Sequence, residues 1–149
     1  MTEHLLYMTL ILLLTYATYT DLKERLIYDR VVIGGVLAAL IFHLWEPQPP
    51  WLEYLFTGIG VLFGLATIAV LTGGSAIGGG DIKVFAMIGF ALGFEGFFIV
   101  FSISHVLAAL YMIGVKLIRS QSVKWGTEFP FAPFILLGIL ITYTLRWVM

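Results

Sequence analysis

The chain contains no cysteine, which excludes disulfides, zinc–thiolate centres, a catalytic thiol and lipid attachment through sulfur. Charge is nearly as scarce. Asp, Glu, Lys and Arg make up 11% of the 149 residues, against about a quarter in soluble domains. A net charge of -1 offers no basic surface for nucleic acid. The three histidines show no spacing with carboxylates that would hold a metal, so neither metal nor cofactor is expected. What is abundant is apolar surface: 60% of residues are hydrophobic and mean hydropathy is +1.02. Too few polar groups are present to cover a globule in water. The expectation is an all-α polytopic membrane protein, one membrane-embedded domain over residues 1–149, with membrane lipid around it. Met1-Thr2-Glu3-His4 lacks the positive start of a cleavable signal, so the first apolar run is read as a span that stays.

Six apolar segments can be cut from the sequence, over residues 4–20, 30–45, 51–72, 81–94, 96–118 and 129–148. The fourth is marginal in length, since a span needs about 20 residues. Loop charge settles the topology. Lys23, Arg25 and Arg30, then Lys83, then Lys116, Arg119 and Lys124 occupy alternate connections, seven of the eight basic residues. The other connections hold Glu46, Glu53 and Glu95. By the positive-inside rule the basic set is cytoplasmic, which predicts six spans with both termini outside; Arg146 is the exception. Glu46-Pro47-Gln48-Pro49-Pro50 is read as an outer turn, flanked by Trp45, Trp51 and Tyr54 as interfacial anchors, with Trp125 expected at the inner face.

This topology brings two carboxylates to one depth. Asp21 ends the first span on the inner side and Asp81 opens the fourth. Ionisable groups at such depths face a bundle interior or a wet cavity. Two neighbouring carboxyls do not both ionise cheaply, so one holds a proton while the other is anionic. Such a pair can polarise a carbonyl and activate water, the logic of aspartic proteases. The bland alternative is that each Asp caps a helix. Five glycines between 73 and 80 shift the balance, because Gly78, Gly79 and Gly80 leave room beside Asp81 for an extended substrate backbone. Glu24, Asp29 and Glu128 line the same inner rim and are candidates for attracting a basic segment. Lys83 is read as meeting phosphates or ordering the loop. His105 is expected to make a hydrogen bond between helices.

Gly78-Gly79-Gly80-Asp81 fits Gly-x-Gly-Asp, and Asp81-Ile82-Lys83 extends the match. The stretch from Asp21 to Asp29 keeps the ends of a second pattern, Asp, six residues, Pro, then Asp or Asn, with Tyr28 in place of the proline. Phe129-Pro130-Phe131-Ala132-Pro133-Phe134 is similar to a third, Pro-Phe-x-Pro-Phe, at the start of the last helix. In this order the three motifs resemble the type IV prepilin peptidases and their archaeal preflagellin relatives. The resemblance implies an aspartic-type endopeptidase with Asp21 and Asp81 as its catalytic pair, Pro130 and Pro133 in support. It implies a bacterial or archaeal cytoplasmic membrane, and prepilin-like precursors as partners, cut at the cytoplasmic face between a short basic leader and an apolar helix. It is closest to the compact forms without a methyltransferase domain, so N-methylation is not expected. Two other readings stay open, a small proton-coupled transporter using Asp81 and His105, and a catalytically silent assembly subunit that keeps the fold. Oligomeric state is open.

Overall fold

Every regular element among the described residues is helical: α1 (Thr2–Glu24), α2 (Asp29–Trp45), α3 (Trp51–Leu71), α4 (Gly79–Arg119) and α5 (Ala132–Val148). A computed structural model describes residues 2–45, 51–119 and 129–148. The proline turn at 46–50, Lys124, Trp125 and Glu128 lie outside the described residues. Among the described residues, three helices are long and apolar enough to cross a membrane: α1 over Glu3–Glu24, α3, and α4 over Gly79–Ile118.

The structure has five helices where six segments are expected, because segments 81–94 and 96–118 join as α4. Its 41 residues would extend about 60 Å if straight, twice the hydrocarbon thickness of about 30 Å. It is not straight. Gly93 has φ 73 and ψ -175, a conformation open essentially to glycine alone, and there the chain doubles back without a loop. Phe85 lies eight residues before Gly93 and Phe101 eight after it, yet their ring centroids are 5.0 Å apart. Sixteen residues of straight helix would separate them by about 24 Å. The two halves of α4 therefore lie side by side.

Local chemistry ends the other helices. α3 closes in a Schellman turn, with Gly74 N–H donating to Ala69 O at 2.7 Å and Gly73 N–H to Val70 O at 3.2 Å. Gly73 has φ 62, the left-handed residue that cap requires, and Gly74 has φ 78. α1 stops where Arg25 takes φ 53, a left-handed turn that side chains adopt at some cost. α2 opens with Asp29 in its first turn, where the helix dipole favours an anion.

α4 is the centre of the bundle, packing against α2, α3 and α5, while α1 packs against α2 and α5. The core joins Leu10 and Leu14 of α1, Phe85, Met87, Ile88 and Val100 of α4, and Ile135 and Ile139 of α5. Small residues let the helices approach. A Cβ at Gly138 would lie 3.0 Å from Val100 O, and one at Gly58 2.8 Å from Phe90 Cβ. The exterior is apolar, with Val70 and Leu71 80% and 81% exposed; this surface suits lipid rather than water. Several hydroxyls are satisfied inside their own helices, as lipid favours: Thr15 donates to Ile11 O, Thr67 to Phe63 O and Ser104 to Val100 O. Arg146, the exception to the charge pattern, donates to Glu3 Oε1 at 3.2 Å.

Candidate active site

The C-terminal end of α1 and the N-terminal ends of α4 and α5 surround a cavity of about 730 Å³. Asp21, Asp81, the three glycines at 78–80 and His105 line it. The structure thus brings together two carboxylates 60 residues apart in sequence, close enough to act on each other electrostatically.

The carboxylates are held differently. Asp21 is buried, and its Oδ2 accepts the Ala132 N–H at 3.0 Å. Ala132 is the first residue of α5, and Phe131 before it accepts the Phe134 and Ile135 N–H groups through its carbonyl. Phe131 carries no capping side chain, so Asp21 serves as the cap from across the bundle, at the positive end of the α5 dipole. Asp21 does cap a helix, but one 111 residues away. Asp81 differs: its side chain makes no hydrogen bond with any described residue and opens to the cavity.

The glycines divide their tasks. A Cβ at Gly80 would meet three atoms of Ile27 at 3.1–3.4 Å, and one at Gly78 would lie 3.2 Å from Asp81 Oδ2. A Cβ at Gly79 would meet nothing within 4 Å. Close helix–loop packing thus accounts for Gly80, and open space for Gly79.

Lys83 Nζ donates to Asp29 Oδ1 at 2.6 Å, and both residues line the cavity. Glu24 does not line it; its Oε2 accepts the Tyr28 hydroxyl at 2.5 Å. That hydrogen bond raises the Tyr28 pKa above its usual value, so the phenol keeps the proton it donates. Arg30 lies over the Tyr28 ring, 5.1 Å from its centroid. Where the motif has a proline to stiffen the turn, this chain fastens it by a hydroxyl. Pro130 lines the cavity, whereas Pro133 sits one residue into α5 and away from it.

Residues that the sequence does not single out also reach the cavity. Arg25 and Phe85 line it, beside His105, which the sequence does single out but for another role. His105 Nδ1 pairs with Phe101 O of its own helix at 2.8 Å, not with a neighbouring helix as expected. Its ring centroid is 5.0 Å from that of Phe131 and 5.8 Å from that of Phe85. Asp81 lies twelve residues before Gly93 and His105 twelve after it, so the fold-back at Gly93 levels them. Among the described residues no group of three or more His, Asp or Glu side chains could hold a metal.

The model of the type IV leader peptidase family matches residues 8–113, from α1 into the second half of α4. A prepilin leader peptidase/N-methyltransferase of Bacillus subtilis (strain 168) is 36% identical over 132 residues, 88% of this chain and 52% of its own length. One of Pseudomonas putida is 30% identical over 119 residues, 77% of this chain and 41% of its own. One of Aeromonas salmonicida is 30% identical over 132 residues, 83% of this chain and 45% of its own. The chain spans about half the length of the curated relatives it matches. No solved structure matches it. With the matched region covering both carboxylates and the glycine run between them, the chain belongs to the type IV leader peptidase family.

Proposed function

We propose that the protein is a membrane aspartyl endopeptidase that removes the short basic leader from prepilin-like precursors at the cytoplasmic membrane face, with Asp21 and Asp81 activating the attacking water. The observation that carries this reading is the shared cavity: Asp81 offers a carboxyl with no hydrogen-bond partner among the described residues, Asp21 lies opposite, and Gly79 leaves open space beside them.

The two carboxyls share one proton between them. Asp21 Oδ2 already accepts an N–H at the α5 start, an environment suited to the anion, so Asp81 is assigned the proton. Asp21 takes a proton from water as the water oxygen bonds to the scissile carbonyl carbon, and Asp81 gives its proton to the carbonyl oxygen. Collapse of the tetrahedral intermediate breaks the C–N bond, the departing nitrogen takes the proton from Asp21, and the hydroxyl proton returns to Asp81. The dyad ends as it began.

The orientation follows from charge. Arg25 and Lys83 line the cavity, while Glu3 pairs with Arg146 at the other end of α1. Positive-inside bias then puts the cavity at the cytoplasmic face of a bacterial or archaeal inner membrane and both termini outside. Counting the two halves of α4 separately gives six spans, in keeping with its fold-back at Gly93. Cleavage is the activity assigned to these residues; N-methylation is not assigned to them.

The test is co-expression with a pilin-like precursor, with leader removal read by mass for wild type, Asp21→Asn and Asp81→Asn. A processed precursor in either variant would overturn the mechanism. Two finer predictions follow from the site. Gly79→Ala should leave the thermal midpoint unchanged and raise KM, because its Cβ enters the space given to substrate. Gly80→Ala should act on the free enzyme, displacing Ile27 and lowering the midpoint by a few degrees, as a one-methyl overpacking does. The reverse pattern would contradict the division between them. At position 28, Tyr28→Phe should slow cleavage, while Tyr28→Pro, which stiffens the turn through its ring, should match wild type. Equal rates for Phe and Tyr would mean that the hydroxyl has no part in the turn.

A further inference from the structure

Lys83 lies two residues beyond Asp81, and Asp29 eight beyond Asp21. Their side chains meet at 2.6 Å across 54 residues of sequence. The contact joins the first residue of α2, the helix that follows Asp21 across a short connection, to the helix that carries Asp81. A second contact runs parallel to it, since Ile27 fills the face of Gly80. Ile27 of the α1–α2 connection and Asp29 at the start of α2 therefore grip residues 80 and 83, on either side of Asp81.

The pair has little other purpose. Its side chains are 49% and 65% exposed, and an ion pair in such contact with solvent adds little to stability. Lys83 also stands near the N-terminal end of α4, where the dipole offers a cation nothing. A misplacement of about 1 Å between reacting groups, by contrast, can lower a rate about a hundredfold.

We propose that the Lys83–Asp29 ion pair and the Ile27–Gly80 contact form a two-point clasp that fixes the spacing of the Asp21 and Asp81 carboxylates, making Lys83 and Asp29 positioning residues for the dyad. The clasp rests on the reading of that dyad as the catalytic pair. It works by geometry and not by adding stability.

The experiment uses the full chain in lipid vesicles with a pilin-like precursor as substrate, comparing Lys83→Met, Asp29→Asn and the exchanged double variant Lys83→Asp/Asp29→Lys. Each single variant should lose about ten- to a hundredfold in kcat, with KM within about twofold of wild type and an unchanged thermal midpoint. The exchanged pair restores opposite charges at the same two positions and should recover most of the lost kcat. Three results would each overturn the clasp: unchanged kcat in the single variants, a rise in KM at unchanged kcat, or an exchanged variant no faster than the singles. Asp21→Asn and Asp81→Asn assayed beside them separate the two ideas. Active Asn variants defeat the dyad itself; inactive Asn variants with fully active clasp variants defeat the clasp alone.

Discussion

Asp21→Asn and Asp81→Asn should each slow leader removal by about 10³- to 10⁴-fold, the range that separates a working acid–base group from an isosteric amide. Asparagine keeps the size of aspartate and removes only its capacity to take up and release a proton. At position 21 the amide oxygen can still accept the Ala132 N–H that Asp21 holds at 3.0 Å, so the start of α5 is retained. At position 81 no bond to a described residue is lost, because none is made. Both variants should accumulate folded and unprocessed precursor should persist, measured as the mass of the uncut chain. Loss in only one of the two would mean that a single carboxylate carries the reaction.

The second large effect is on the fold. Gly93→Ala should destabilise the protein by about 1–3 kcal/mol, the strain of a side chain in a conformation open essentially to glycine. Its Cβ would also lie 3.2 Å from Tyr54 Cε1. Gly114 is the control. It is helical, belongs to the same α4, and a Cβ there would meet nothing within 4 Å. Gly114→Ala should therefore be neutral or stabilising by up to about 1 kcal/mol. Thermal unfolding in detergent distinguishes the two, and a Gly93→Ala midpoint equal to wild type would contradict the fold-back. Because Phe85 and His105 reach the cavity from opposite sides of that glycine, lost stability should be accompanied by lost cleavage.

Composition alone made the helical, membrane-embedded class legible, since so few charges leave no alternative in water. Alternating loop charge made it legible that Asp21 and Asp81 share one end of the bundle. Other features lay beyond a sequence reading for physical reasons. The expected break between segments four and five falls around residue 95, near the observed one at Gly93, but the sequence suggests a loop there, and one glycine's dihedrals make the turn instead. Sixteen glycines are present, and no local pattern marks the one that turns back. His105 became a cavity residue only through that turn. The bond from Asp21 to the α5 start links residues 111 apart, and the Lys83–Asp29 pair links residues 54 apart. Neither has a periodicity to reveal it. Tyr28 marks the converse case, a departure from a motif whose substitute is a contact within four residues.

The unequal attachment of the two carboxylates also bears on how such a chain would decay. Asp21 holds the first turn of α5, so a descendant freed from its reaction would still gain by keeping it. Asp81 holds nothing: no described donor reaches it, and a second acid beside Asp21 is an electrostatic burden. A lineage drifting toward an inert scaffold would shed Asp81 first and fold no worse for the loss.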